Sequence, residues 1–247
     1  MDIMQRLEEL ARRSYNNSQY LFTDFLSMAE LSQYYEHERE LSYSCPVLYG
    51  GCEAAERRMI RFGSGELLGY EQDFPITALR IRPVQDKFAE ELNHRDYLGA
   101  LMNLGIKREM LGDIFIKDKS ALVFCKDSIA GFVPANLTRV RHTSVIVEET
   151  EDFDDFSEPE KQEKMIQVSS ARIDAVISRV YNLSRQEALA LFLSGLVYLN
   201  GRSVSENAKQ LRTDDIVSVR GRGKFEFGGE INTSKKGKLN CRVRLYV

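Results

Sequence analysis

Three stretches near the carboxyl end decide the fold of that part of the chain: SARID at 170–174, SRQEA at 184–188 and VYLNG at 197–201. The first stretch opens a run with helical periodicity, which predicts a helix with one packed face. Ser184 and Glu187 have the spacing of a capping box and predict the start of a second helix. Gly195 is placed to end that helix, and Asn200-Gly201 predicts a tight hairpin turn. The pattern therefore predicts a compact helix–helix–hairpin module.

Apolar residues repeat at helical spacing in both predicted helices. The first stripe consists of Ile173, Val176, Ile177, Val180 and Tyr181, and the second of Leu189, Phe192, Leu193 and Leu196. Residues 215–220 alternate in polarity and predict a further strand beyond the hairpin turn.

This module carries arginines beside its helix starts. Arg185 lies in the first turn of the capped helix, where backbone N–H groups and a guanidinium could hold one phosphate together. Arg172 is expected to supply a second clamp, while Asp174 orients an arginine or caps the helix. Residues 220–224, with the sequence RGRGK, are expected to form a flexible basic loop. The predicted RNA-binding residues are Arg172, Ser184, Arg185, Asn200, Lys209, Arg220, Arg222 and Lys224.

The same module resembles the RNA-binding module of small-subunit ribosomal protein four, which also occurs in tyrosyl-tRNA synthetases, pseudouridine synthases and stalled-ribosome factors. The resemblance rests on the spacing of Arg172-Ile173-Asp174, Ser184-Arg185, Gly195-Leu196-Val197, Asn200-Gly201 and Asp214-Asp215-Ile216. It implies an S4-type RNA-binding domain at residues 165–247.

Two upstream stretches, LYGGCEAAER at 48–57 and NHRDYLGALMNLG at 93–105, resemble the YlmH family of bacterial proteins, often encoded near cell-division genes. Together with the C-terminal module, the resemblance covers nearly the whole chain. It implies binding of ribosomal RNA or tRNA at the large ribosomal subunit during rescue of stalled translation, and a genetic link to cell division.

The bulk composition is that of an ordinary globular protein. The chain has 247 residues, of which 43% are hydrophobic and 29% charged, so it can form two or three compact units. No apolar run approaches the roughly 18 residues of a membrane span, and the first residues lack a signal-peptide core, so we expect a cytoplasmic protein. The four cysteines form no CxxC pair and no zinc-type cluster. Neither a metal site nor a small-molecule cofactor is expected.

The net charge of −3 conceals a strong asymmetry. Residues 165–247 hold 14 Lys+Arg against 7 Asp+Glu, whereas residues 148–164 hold 2 against 9. A basic end is typical of a module that docks on phosphates, although such charges can also simply be solvated. The acidic stretch predicts a flexible linker. One hypothesis is that this stretch rests on the basic module as a phosphate mimic until RNA displaces it.

Residues 76–147 predict strands and helices in the order strand, helix, strand, strand, helix, strand. The predicted strands are 76–83, 113–116, 121–125 and 139–147, and the predicted helices are 88–104 and 128–136. This order suits a split βαβ sheet of the RRM-like kind, but also many domains that bind no RNA.

The overall prediction is an α+β protein. It comprises a mixed, mainly helical region at 1–75, an RRM-like domain at 76–147, an acidic linker at 148–164 and the S4-type domain at 165–247. In the first region, helices are predicted near residues 3–11 and at 23–40, and short strands at 47–49 and 59–62.

His94-Arg95-Asp96 has the order of a kinase catalytic loop, but Leu101 stands where that loop needs a metal-binding asparagine. Two interpretations remain open. Either Asp96 caps a helix whose apolar residues pack, or an exposed edge formed by His94, Arg95, Lys107 and Arg108 contacts RNA as a second surface.

The other glycine-rich stretches are interpreted as structural turns and not as loops that bind a nucleotide or a phosphate. The third glycine of Gly63–Gly69 is one residue late for a dinucleotide loop, and acidic residues after Gly50-Gly51 would repel a phosphate. With three histidines, no catalytic triad stands out. We therefore expect a non-enzymatic RNA-binding protein. An RNA-modifying enzyme with an active site in residues 76–147 and an interaction scaffold at the division machinery remain as alternatives.

Overall fold

The computed structural model describes residues 2–153, 156, 161–234 and 237–246. These residues form an α+β protein in which every described strand pairing is antiparallel. The chain divides into two compact units, Met1–Glu158 and Pro159–Val247. Within the described part of the chain, no helix has the length and apolar character needed to cross a bilayer.

The first unit begins with a small helical layer on a three-stranded sheet of order β1–β3–β2. Its elements are α1 (Ile3–Asn17), β1 (Leu21–Phe22), α2 (Met28–His37), β2 (Val47–Tyr49), β3 (Met59–Phe62) and the short α3 (Gly65–Leu68). Helix α2 begins later than the predicted residue 23, because Ser27 caps it in a capping box with Glu30.

The rest of this unit is built around a five-stranded sheet of order β5–β6–β4–β8–β7. Its elements are β4 (Ile76–Pro83), α4 (His94–Asn103), β5 (Leu111–Lys117), β6 (Ser120–Lys126), α5 (Asp127–Ala130), α6 (Phe132–Asn136), β7 (Arg139–Val140) and β8 (Thr143–Glu149). Helix α4 connects β4 to β5 across β6, and α5 with α6 connects β6 to β8 across β4. Each connection therefore joins two strands that are separated by one antiparallel strand.

The predicted order of elements in residues 76–147 is present, with three differences. The helix predicted at 88–104 begins only at His94, because the Asn93 side chain accepts hydrogen bonds from the N–H groups of Arg95 and Asp96 (2.9 and 3.3 Å). The helix predicted at 128–136 is split into α5 and α6. The strand predicted at 139–147 is interrupted by a tight turn, in which Arg141 has a φ of 52°.

Both faces of the five-stranded sheet are covered. On one face, Leu79, Ile81 and Val123 pack under α4, α5 and α6 in a buried cluster that includes Tyr97 and Val133. On the other face, a second buried cluster joins the sheet to residues before β4 and after β8. Its buried members are Phe25, Cys52, Ala55, Met59, Ala78, Leu122, Phe124 and Phe156.

Phe124 lies at the centre of this second face and is 1% exposed. Its ring contacts Phe153 and Phe115 edge to face, with centroids 5.4 and 6.2 Å apart. Gly51 lies directly against the same ring, because an added Cβ there would be 2.2 Å from Phe124 Cδ1. Gly50-Gly51 is thus a packed structural turn, as the sequence favoured.

Polar contacts attach the N-terminal residues to the same sheet. Asp24 accepts from Arg6 Nη2 (2.5 Å) and from Lys126 Nζ on β6 (2.7 Å). Burial alone would raise the pKa of Asp24, but these two hydrogen bonds outweigh it and lower the pKa. Arg57 Nε donates to the carbonyl of Leu111 on β5 (3.0 Å).

The second unit contains two helices on a six-stranded sheet of order β11–β10–β12–β13–β14–β9. Its elements are β9 (Lys161–Val168), α7 (Ile173–Val180), α8 (Arg185–Leu193), β10 (Val197–Leu199), β11 (Arg202–Ser203), β12 (Asp215–Val219), β13 (Gly223–Thr233) and β14 (Leu239–Tyr246). Side chains from both helices and from the sheet share one buried core.

Several local predictions for the second unit agree with the structure. Ser184 and Glu187 form the capping box of α8, and Gly195 has a φ of 64° after the helix end. Asn200 and Gly201 have φ values of 52° and 79° in the turn between β10 and β11, as a type I′ turn requires. The second apolar stripe differs, because Phe192 is buried whereas Leu193 is 83% exposed.

The predicted helix–helix–hairpin module has fewer strands than the second unit of the structure. Strand β9 and the long hairpin of β13 and β14 extend the sheet well beyond the predicted strands. Strand β9 also occupies residues 161–164, and β8 continues through Glu149, so both ends of the predicted linker at 148–164 are strands. Phe153 and Phe156 between them pack on the first unit. Residues 154, 155 and 157–160 of that prediction lie outside the described residues.

We expect Gly51→Ala to lower the free energy of unfolding by about 2–4 kcal/mol. The new Cβ would overlap the Phe124 ring, and the φ of 100° at this position strains any residue with a side chain. Urea denaturation of the full chain, followed by circular dichroism, measures this loss.

The matched control is Gly99→Ala in α4, where an added Cβ meets nothing within 4 Å. It should leave stability unchanged or raise it by up to about 1 kcal/mol. Equal stabilities of the two variants would contradict the packing described for Phe124.

Candidate nucleic-acid interface

The start of α8 is fixed by hydrogen bonds within the protein. Ser184 Oγ accepts from the Glu187 N–H (3.2 Å), and Glu187 Oε2 accepts from the Ser184 N–H (2.8 Å). These bonds lower the pKa of Glu187. The Ser184 hydroxyl therefore defines the helix start, and a carboxylate already occupies part of it. Arg185, the first helical residue, is exposed beside this cap.

The turn between β12 and β13 brings a second arginine to the same place. Arg222 is close enough to Glu187 to lower its pKa further through charge attraction. An added Cβ at Gly223 would be 3.6 Å from the hydroxyl of Tyr181, which follows α7. The turn therefore lies beside Tyr181, and Arg222 is near the start of α8, whose first residue is Arg185.

Arg220 is carried by the same turn. Its N–H donates to the Leu196 carbonyl (2.9 Å), which places it where the chain leaves α8 and enters β10. Arg220 and Arg222 are both exposed, and Gly221 between them has a φ of 79°. The predicted flexible loop at 220–224 is thus a tight turn that leads into β13 at Gly223.

Arg172 is engaged by an acid. Its Nε and Nη2 donate to the two carboxylate oxygens of Asp174 (3.1 and 2.7 Å). Asp174, with a side chain only 10% exposed, also accepts from the Ala175 N–H (2.8 Å) and from Asn207 Nδ2 (3.2 Å). A bidentate pair with Asp174 neutralises much of the charge of Arg172, so its guanidinium is not free for a second anion as the sequence analysis expected.

The remaining predicted residues of this unit have different surroundings. The exposed Lys209 lies beside the start of α7, because its carbonyl accepts from the Ile173 N–H (2.9 Å). Asn200 bridges to the next strand by accepting from the Ile216 N–H (2.8 Å) and donating to Asp215 (2.9 Å). Lys224 Nζ lies 4.7 Å from the centre of the Tyr246 ring. Asn200 and Lys224 thus already make contacts inside the sheet.

The second predicted surface does not form one exposed edge. Arg108 is half-buried, and its Nη1 donates to the carbonyls of Leu111 (2.6 Å) and Gly112 (3.0 Å). Burial, followed by the neighbouring Arg57, lowers the pKa of Arg108 to about 10. Partial desolvation and the charge of Arg108 likewise lower the pKa of His94. Arg108 therefore has a structural role, whereas the neighbouring His94 remains exposed.

Arg95 and Lys107 of the same prediction are exposed. Lys107 lies 4.0 Å from a carboxylate oxygen of Glu109, whereas Arg95 lines a groove along α4 together with Arg139 and Arg141. Sequence reasoning missed the last two, although the basic run RVRH at 139–142 was a visible signal. Within the part of the chain that the structure describes, no group of three His, Cys, Asp or Glu side chains could hold a metal ion.

Comparison with known proteins shows the family to which this chain belongs. The family model described as "Putative RNA-binding domain in YlmH" matches residues 70–154, which contain β4 to β8. A protein of Bacillus subtilis (strain 168), named ribosome-associated protein quality control protein P2, is 32% identical over 191 residues, which are 76% of this chain and 73% of that protein. The chain belongs to the YlmH family.

A solved structure described as cell division protein ylmH from Streptococcus pneumoniae is also similar. It is 18% identical, with a TM-score of 0.46, and the similarity covers 60% of this chain and 88% of that one. In this YlmH-family chain, the matched RNA-binding domain is the five-stranded sheet with α4 to α6. The second unit, with Arg185 and Arg222, lies outside residues 70–154 that the family model matches.

We expect Asp174→Ala to lower the free energy of unfolding by about 1–3 kcal/mol, because it removes a buried carboxylate that accepts four hydrogen bonds. Thermal unfolding of the full chain measures the loss. Glu206→Ala, which removes an exposed acid nearby, is the control and should stay within about 0.5 kcal/mol of wild type. Stability unchanged in Asp174→Ala would show that the carboxylate has no structural role.

Proposed function

We propose that this protein binds structured RNA, ribosomal RNA or tRNA, without catalysing a reaction. The observation that carries the proposal is the convergence of two exposed arginines, Arg185 and Arg222, on the capped start of α8. Guanidinium groups suit a phosphate through charge-assisted hydrogen bonds, and here they carry the attraction, because the capping box already satisfies the Ser184 and Glu187 N–H groups. Arg220 extends the same basic surface from the adjoining turn.

The second unit has the character of a phosphate-binding module. Its residues 165–247 carry twice as many basic as acidic side chains, so that it attracts a polyanion. Two helices packed on a sheet, with the arginines at the helix junction, support an S4-type domain. We propose the exposed basic residues of the predicted RNA-binding set, Arg185, Lys209, Arg220 and Arg222, as its principal contacts.

The domain at 70–154 is proposed as a second RNA surface. Its order of elements and its strand order, in which both helical connections cross one antiparallel strand, support an RRM-like architecture. Because the Bacillus subtilis relative is ribosome-associated and named for protein quality control, we propose the same setting for this chain. Its site would lie on the large ribosomal subunit, where stalled translation is rescued.

We expect Arg185→Ala to weaken binding of a labelled RNA hairpin about tenfold. It should also reduce the slope of log K against log salt by about one, because one phosphate contact is lost. Fluorescence anisotropy of the full chain at several salt concentrations gives both values.

The matched control is Arg212→Ala, which also removes an exposed arginine. Arg212 precedes β12, whereas the turn that carries Arg222 follows this strand. It should change neither affinity nor slope beyond the small effect of net charge. If the two variants weaken binding equally, the start of α8 is not a specific phosphate site. If wild-type protein does not bind the hairpin, the proposed function is wrong.

A further inference from the structure

The face that RRM-like domains commonly use for RNA is closed in this protein. Such domains stack bases on aromatic side chains at the centre of the open sheet face. Here the central aromatic residue, Phe124 on β6, is 1% exposed beneath Gly51 and Phe153. Arg80 on the adjoining strand lies over the ring of the buried Phe156, 5.6 Å from its centre. RNA therefore has no aromatic platform on this part of the sheet.

The opposite, helical side of the same domain carries a groove of about 520 Å³. It runs along α4, and its far wall is formed by the end of α6 and the β7–β8 turn. Three arginines line it, Arg95 on α4 and Arg139 and Arg141 on β7 and its turn, against a single acid, Asp96. The groove is therefore positively charged within a chain whose net charge is −3.

A helix cap and a tight turn fix the backbone positions of the groove arginines Arg95 and Arg141. Arg95 lies in the first turn of α4, which the Asn93 cap defines. Arg141 occupies the two-residue turn between β7 and β8, with a φ of 52°, and its Nε forms an ion pair with Asp96 Oδ1 at 3.0 Å. The other oxygen of Asp96 accepts from the Asn93 N–H (2.9 Å), so one carboxylate ties the turn to the helix start.

Two of the three guanidinium groups remain available. Among the described residues, no carboxylate forms an ion pair with Arg95 or Arg139, and both side chains are exposed. The only hydrogen bond described for the Arg139 guanidinium is a long one of 3.5 Å to the His142 carbonyl. Between the walls, Gly99 presents no side chain, which leaves room for a polyanion to approach α4 closely.

We propose that this groove binds the phosphodiester backbone of RNA, so that RNA crosses the 70–154 domain on its helical side and not on its sheet. The inference rests on the proposed function and names the surface of the second RNA contact. Guanidinium forks on two walls suit successive phosphates of a strand. The match of these residues to the RNA-binding domain of the family favours RNA over an acidic protein as the occupant.

The test compares three double variants of the full chain in binding a labelled RNA hairpin. Arg95→Ala with Arg139→Ala empties the groove of its free guanidinium groups. Arg12→Ala with Arg39→Ala removes the same charge from exposed positions elsewhere in the first unit. Arg82→Ala with Lys117→Ala removes charge from the strands of the sheet.

The groove variant should weaken binding at least tenfold and reduce the salt slope by about 1.5, as expected for the loss of two phosphate contacts. The other two variants should stay within about threefold of wild type. A groove variant that binds like the Arg12/Arg39 control would overturn the inference, as would a larger loss in the sheet variant.

A fourth variant, Gly99→Glu, changes no arginine and should also weaken binding, because it places a negative charge inside the groove. Its helix start and packing are left intact, and the Gly99→Ala protein controls for the side chain itself. If Arg185→Ala weakens binding while every groove variant binds normally, the proposed function stands and the groove inference fails. Absence of binding by wild type overturns both.

Discussion

The burial of Phe124 is the interaction on which the first unit depends. This one ring brings together the turn at Gly51 and the chain after β8, both on the face of the sheet that its helices leave open. Without this cover, the apolar residues Ala78, Leu122 and Phe124 on this face of the sheet would be exposed to water. The N-terminal region completes the core, and it belongs to the same compact unit as the central sheet.

That packing has a direct consequence for function. The aromatic residues at the centre of this sheet are buried in the core and cannot stack on RNA bases. Recognition of RNA would then depend on charged side chains on other surfaces. In both units some exposed arginines lie at helix starts and tight turns: Arg185 and Arg222 in the second, Arg95 and Arg141 in the first. Backbone held by capping boxes and two-residue turns presents such side chains at fixed positions, which favours recognition of a phosphate backbone by shape.

The sequence predicted those parts of the structure that depend on neighbouring residues. Capping residues and left-handed turn residues act over a few positions, so that Ser184, Gly195 and Asn200-Gly201 could be assigned from their spacing alone. The sequence did not predict that Gly51 and Phe153 cover Phe124, nor the strands β13 and β14. The packing of Phe124 and the pairing of these strands depend on residues far apart in the chain. The half-burial of Arg108 was missed although its carbonyl partners are only three and four residues away, because burial of a side chain depends on what packs around it. The sequence did predict that Asp174 orients an arginine, and in the structure that arginine is Arg172.

The most direct test of the account is hydrogen–deuterium exchange of the full chain with and without an RNA hairpin. We expect RNA to slow exchange at the start of α4, the β7–β8 turn, the start of α8 and the β12–β13 turn, while β4 and β6 exchange as in the free protein. Slower exchange in β4 and β6, accompanied by faster exchange around Gly51, would mean that RNA displaces the cover from Phe124, and would contradict the account.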